Sequence, residues 1–97
     1  MGLKNTSPNT LESSTIALQL IAFLASDLER MERFTSLSGI NLGDMKEGAL
    51  NPVFLGFMLD YALQDEALIL AFAENQQISP QTLAIVRRQL PGASDDF

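Results

Sequence analysis

The stretch that decides the fold is residues 52–73, which read PVFLGFMLDYALQDEALILAFA. Two strongly apolar runs flank a polar joint at residues 64–66. In the first run the only small or polar positions are Gly56 and Asp60, which share one narrow helical face. The apolar arc is therefore wider than a single neighbouring layer covers, and the pattern predicts two consecutive helices, the first of which is central or lies at an interface.

Start and stop signals divide the rest of the chain into further helices. Asn51 and Ser79 are each followed by proline, which is typical of a helix start, because the side chain accepts an orphan amide and proline tolerates the first helical position. Capping-box spacings predict further starts at Asn9 and Ser26. Gly39 predicts a stop, since glycine readily adopts the left-handed conformation that ends many helices.

The predicted fold class is all-α, a compact bundle of about six short helices. The helices over 11–25 and 53–63 are expected at its centre. The chain is long enough for one domain, predicted over 9–92, with a flexible tail over 1–8 and an acidic tail over 93–97.

The apolar positions of the predicted helices indicate which side chains enter the core. Leu18 on the first helix and Leu28 on the second are expected to point inward. The same is expected of Leu42, Met45 and Leu50 around a short third helix, which the glycines within it weaken.

The chain also carries a weak internal echo. A shift of 38 residues places Asp27 on Asp65 and Phe34 on Phe72. Two three-helix units related by a pseudo-two-fold axis would explain the echo, and so would the general similarity of any two runs of helices.

Composition excludes several classes of function. Twelve acidic against six basic residues give a formal charge of −6, which opposes binding to nucleic acids and to anionic membranes. The sequence contains no cysteine and no histidine, so the thiolate nucleophile and the commonest general base are both missing. We therefore expect a cytoplasmic protein without catalytic activity and without a cofactor, and no segment is long and apolar enough to predict a membrane span.

One alternative is a helix-turn-helix that binds nucleic acid through residues 72–90. The polar and basic residues of its second helix include Arg87 and Arg88. Because two arginines are a small electrostatic footprint for a chain of this charge, two packed helices with a tight corner explain the pattern better. If Arg30 and Arg33 joined Arg87 and Arg88 on one face, an anionic ligand would be favoured.

A second alternative is a cation or small-ligand site built from carboxylates. Asp60, Asp65 and Glu66 lie close together in the sequence, but helix caps and exposed positions also explain them. If Asp60 lay inside the bundle, its partner would have to be a cation, an arginine or a proton.

The strongest remaining signal is an excess of apolar surface. Phe54, Phe57, Met58 and Tyr61 cover adjacent sides of one helix, more than a small core readily shelters. Monomers rarely expose large contiguous apolar areas, so the pattern predicts a protein-interaction module that binds a second copy of itself, as a homodimer, or another protein.

The chain resembles a small alphaproteobacterial family of short helical proteins classed as a domain of unknown function. The resemblance rests on caps, core positions and turns, which are Ala17-Leu18, Phe23-Leu24-Ala25, Phe34, Gly39-Ile40, Asn51-Pro52, Phe54-Leu55, Leu59-Asp60, Asp65-Glu66 and Leu90-Pro91-Gly92. It implies an all-helical fold in a bacterial cytoplasm and brings no activity, cofactor or catalytic residue. The last helix departs from the family's expected alanine–arginine pair at Val86-Arg87-Arg88.

Overall fold

The computed structural model describes residues 10–92, which form six helices and no strand. The helices are α1 (Thr10–Ala25), α2 (Leu28–Ser38), α3 (Leu42–Gly48), α4 (Pro52–Ala62), α5 (Glu66–Gln76) and α6 (Pro80–Gln89). The predicted all-α bundle of six short helices is therefore confirmed. None of the helices in this range has the length and apolar character needed to cross a bilayer. The predicted tails and the cap at Asn9 lie outside the described residues.

Local capping explains where most of the helices begin. The side chains of Asn41, Asn51, Asp65 and Ser79 each accept a hydrogen bond from a backbone N–H of the helix that follows. Such bonds satisfy donors that the helix itself cannot pair. One prediction is wrong: α2 is capped by Asp27, not by the neighbouring serine, because the Asp27 carboxylate accepts from the Arg30 N–H.

In the two halves of the chain, α1–α3 and α4–α6, the second helices begin in the same register. A shift of 38 residues superposes Asp27 and Asp65, which cap α2 and α5 and stand directly before them. Both of these helices end at a left-handed residue, Gly39 with φ 79° and Gln77 with φ 59°. This common register is what an internal repeat would produce, although it does not fix the crossing angles, so the pseudo-two-fold stays a prediction.

The core draws buried side chains from all six helices, and α1 and α4 contact most of the others, in agreement with the central place that the sequence predicts for them. α4 packs against all five other helices, and α1 packs against α2, α4 and α6. The fully buried large side chains include Leu20 and Leu24 from α1, Phe34 from α2 and Phe72 from α5.

Several leucines expected in the core are on the surface. Leu28 is 72% exposed and Leu50 is 89% exposed, while Leu18 and Leu42 are also exposed. Of the residues predicted to point inward from α3 and its flanks, only Met45 is buried. The physical reason at α3 is that a helix of seven residues makes only about two turns, so few of its positions face the core, and Met45 occupies one of them while Leu42 and the following Leu50 stay outside.

Candidate functional site

The outward face of α4 carries aromatic side chains that the core covers only in part. Phe57 is 49% exposed, and Phe54 and Tyr61 are half-buried. Because they are three and four residues apart, the three rings lie along one side of the helix. Val53 is exposed and extends this apolar face towards the start of α4. Three of the four residues proposed from sequence as an interface are thus brought together.

The fourth residue of that set lies elsewhere. Met58 is fully buried in the core, on the side of α4 that packs against the other helices. A side chain without exposed surface is not available to a partner, so Met58 does not belong to this face and acts as a core residue.

The three rings form one wall of a groove with a volume of about 510 Å³, which we call the α4 groove. Its lining residues are Ser38, Ile40, Phe54, Phe57, Asp60, Tyr61 and Gln64. The opposite wall comes from the connection between α2 and α3. An apolar concavity with polar groups at its ends is the usual form of a binding site.

Ile40 is held in the opposite wall by hydrogen bonds from α2. Its N–H donates to Oγ of Ser38 at 3.0 Å, and its carbonyl accepts from Oγ1 of Thr35 at 2.8 Å. The Ser38 hydroxyl in turn donates to the Phe34 carbonyl at 2.8 Å. Sequence reasoning did not propose Ile40 as a site residue. The signal that could have found it is Gly39, since a hydrophobic residue after a glycine stop commonly packs against the helix it ends.

A second hollow, of about 330 Å³, continues the α4 groove towards α3, and we call it the α3 hollow. It is lined by Ile40, Asp44, Glu47, Gly48, Asn51 and Phe54. Ile40 and Phe54 line both hollows, so the two form one surface. The Phe54 ring lies directly over Gly48, where any Cβ would overlap it. The absence of a side chain at Gly48 therefore sets the position of the Phe54 ring.

Asp60, which lines the α4 groove, is joined to Arg87 of α6. The Arg87 Nε lies 2.6 Å from one Asp60 oxygen, and Nη2 lies 3.1 Å from the other. Nη1 donates to the carbonyls of Leu90 and Pro91, each at 3.2 Å. The arginine is the buried partner, with a side chain 7% exposed, whereas Asp60 is 47% exposed. Asp60 does not lie inside the bundle, so the condition under which the sequence required a cation, an arginine or a proton beside it is not met, and its arginine partner is the buried residue instead.

The remaining arginines have separate contacts. Arg33 donates to Asp65 through Nε at 2.9 Å and Nη2 at 3.2 Å. The Arg30 guanidinium carbon lies 3.9 Å from the centre of the Phe23 ring, and its Nη1 donates to the Phe23 carbonyl at 3.1 Å. Cations near the carbonyl end of a helix are favourable, so Arg30 stabilises the end of α1.

These contacts bear on the alternatives left open by the sequence. The second helix of the helix-turn-helix candidate contributes Arg88, which is exposed, and Arg87, whose guanidinium is engaged by Asp60. The carboxylates Asp60 and Asp65 contact different arginines, and Glu66 is exposed. Within residues 10–92, no group of three or more acidic side chains is placed to hold a metal ion. Arg30 and Arg33 line one hollow together with Asp65, apart from the Asp60–Arg87 pair.

Comparison with known proteins gives one result. Neither a curated protein nor a solved structure matches the chain at a significant level. A family model described as "Protein of unknown function (DUF3572)" matches residues 11–93. This range covers all six helices after the first residue of α1, so the resemblance noted from the caps and turns is confirmed at the level of a family of unknown function. The chain belongs to the DUF3572 family.

Proposed function

We propose that this protein is a non-catalytic interaction module that binds another protein chain through the α4 groove. The observation that carries the proposal is Phe57, an aromatic side chain 49% exposed between two other rings in a groove, in a chain whose core is filled without it. Aromatic side chains in pockets are the residues that most often dominate binding energy at protein interfaces.

The shape of the groove also supports a protein ligand. Its aromatic wall follows one face of α4, and its opposite wall is fixed by the hydrogen bonds around Ile40. A preformed groove needs little ordering on binding, which favours affinity. Grooves of this kind accept a helix or an extended segment that inserts apolar side chains. A second copy of the chain, as a homodimer, and a different protein are the two forms of partner.

The proposal includes no catalytic step. The 97 residues contain no histidine and no cysteine, so the commonest general base and the thiol nucleophile are missing. Both carboxylate oxygens of Asp60 at the groove accept hydrogen bonds from Arg87.

We also propose a bacterial, cytoplasmic setting for the protein. The support is the resemblance of its caps and turns to short alphaproteobacterial proteins, together with a chain that needs no disulfide. Fractionation of the source cells tests this location.

The test of the interaction is native mass spectrometry on the tagged protein, isolated gently from its own cells. We expect either twice the 10.6 kDa chain mass or the chain with a second protein. Phe57→Gln should abolish this complex. The matched control is Leu70→Gln, because Leu70 is 50% exposed on α5 and lines neither hollow. A wild-type monomer alone, or a complex that survives Phe57→Gln, would overturn the proposal.

A further inference from the structure

The charged side chains that line the α4 groove and the α3 hollow are all acidic, and we call them the rim of the binding surface. The α4 groove and the α3 hollow together are lined by three carboxylates, Asp44, Glu47 and Asp60, and by no lysine or arginine. Asp44 and Glu47 are both exposed. Arg87 compensates Asp60 from within the protein, so the two carboxylates of α3 are the charges that a ligand would meet.

The apolar part of the same surface is continuous with this rim. Phe54 and Ile40 line both the α4 groove and the α3 hollow, and Asp44 and Glu47 line the α3 hollow. A ligand that inserts an apolar side chain beside Phe54 would therefore place its flanking residues near the α3 carboxylates. Complementary charge around an apolar centre is what fixes partner choice at many interfaces.

We infer that the partner is a different protein, which contributes a segment with aromatic or aliphatic anchors flanked by lysine or arginine. This inference rests on the proposed function and selects between its two forms of partner. In a two-fold dimer both copies present the same patch, so every charged lining residue brought into the interface would be a carboxylate, and each chain carries a formal charge of −6. Like charges opposed at an interface are unfavourable, whereas a basic segment is attracted.

The test uses a library of random 12-residue peptides displayed on phage and selected on the full-length protein. We expect the enriched peptides to combine leucine or aromatic residues with a net positive charge. The tightest of them is then synthesised, and its affinity is measured by fluorescence polarisation at two salt concentrations. Binding should weaken as salt rises, because exposed charge pairs are screened.

Three variants locate the binding and its charge preference. Phe57→Gln should weaken peptide binding by at least ~10-fold, as expected for the loss of an aromatic anchor. Glu47→Lys reverses one rim charge and should weaken peptide binding by about three- to tenfold. Glu74→Lys is the matched control, because Glu74 is exposed on α5 and lines neither hollow, yet changes the net charge equally. It should leave the affinity within about twofold of the wild type.

The outcomes separate this inference from the proposed function. Selected peptides that need Phe57 but are neutral or acidic, or that respond equally to Glu47→Lys and Glu74→Lys, would overturn the basic partner and leave the interaction module standing. If the wild-type protein is a dimer that Phe57→Gln dissociates, the partner is a second copy of the chain, which overturns the basic partner and also leaves the interaction module standing. If no peptide is enriched, or if the affinity of the enriched peptides does not depend on Phe57, both the basic partner and the α4 groove as a binding site are ruled out.

Discussion

The Arg87 side chain of α6 lies over Gly56 of α4 and leaves no room there for a Cβ. A Cβ placed on Gly56 would lie 2.7 Å from Nη1 of Arg87 and 3.0 Å from the Pro91 carbonyl oxygen. The guanidinium cannot simply move aside, because Asp60 and two carbonyls hold it. The glycine in the middle of α4 is therefore explained by the arginine that lies over it.

Replacement of this glycine by alanine should destabilise the protein despite the better helix propensity of alanine. Gly56→Ala gains up to about 1 kcal/mol of propensity, but overpacking costs about 1 to 3 kcal/mol. In an Arg87→Met background the flexible side chain can give way and only the Pro91 carbonyl oxygen, 3.0 Å from the new Cβ, remains, so the same change should cost less. Urea denaturation of the four proteins of this double-mutant cycle measures the coupling. An equal cost in both backgrounds would show that Arg87 is not the obstacle.

The Arg33–Asp65 ion pair should contribute less to stability than the helix cap that Asp65 also provides. Arg33 is 69% exposed, so Arg33→Met should change the free energy of unfolding by at most about 1 kcal/mol. Asp65 also caps α5 by accepting from the Leu68 N–H at 3.2 Å. Asp65→Ala should therefore cost about 1 to 2 kcal/mol, mostly through the lost cap.

Asp65→Asn serves as the control for that comparison, because asparagine caps helices as well as aspartate does but cannot form the ion pair. Its free energy of unfolding should follow that of Arg33→Met. If Arg33→Met costs as much as Asp65→Ala, the ion pair, and not the cap, is the main contribution of this aspartate.

Gln77 is the non-glycine residue with a positive φ among residues 10–92, and it should favour glycine. Its φ of 59° and ψ of 43° lie in the left-handed region, which costs residues with a Cβ about 1 to 2 kcal/mol. Gln77→Gly should stabilise the protein by about 0.5 to 1 kcal/mol, after the greater chain entropy of glycine in the unfolded state is subtracted. The neighbouring Gln76→Gly lies within α5 and should destabilise by up to about 1 kcal/mol. Thermal unfolding of both variants should show midpoints shifted in opposite directions.

The sequence predicts the number of helices and most of their starts because capping is local. The bond from Asp65 to the Leu68 N–H spans three residues, and that spacing can be read directly from the chain. The groove is different, since it brings Ile40 of the α2–α3 connection together with Phe57 of α4, and the Asp60–Arg87 pair joins residues 27 apart. Contacts between elements depend on how the helices pack, and a periodic pattern on one helix does not specify its neighbour.

The same limit explains the misplaced leucines. In a chain that is 46% hydrophobic, an apolar residue is compatible with the core at many helical positions. Burial is then decided by where the neighbouring helices lie, and surfaces of folded proteins normally retain apolar side chains. Leu28 and Leu50 are examples, and a polar residue at either position would have made the sequence easier to interpret.

Met45 lies within α3 and Leu50 lies just beyond its end, and substitution of each measures how much the buried and the exposed apolar side chain contribute to stability. Met45 is fully buried, so Met45→Ala should cost about 2 to 5 kcal/mol through lost burial and the cavity that remains. Leu50 is 89% exposed, so Leu50→Gln should change the free energy of unfolding by no more than about 0.5 kcal/mol. Urea unfolding followed by circular dichroism gives both values. A large cost for Leu50→Gln would mean that this leucine is covered in the folded protein, and the turn between α3 and α4 would then belong to the core, as its sequence first suggests.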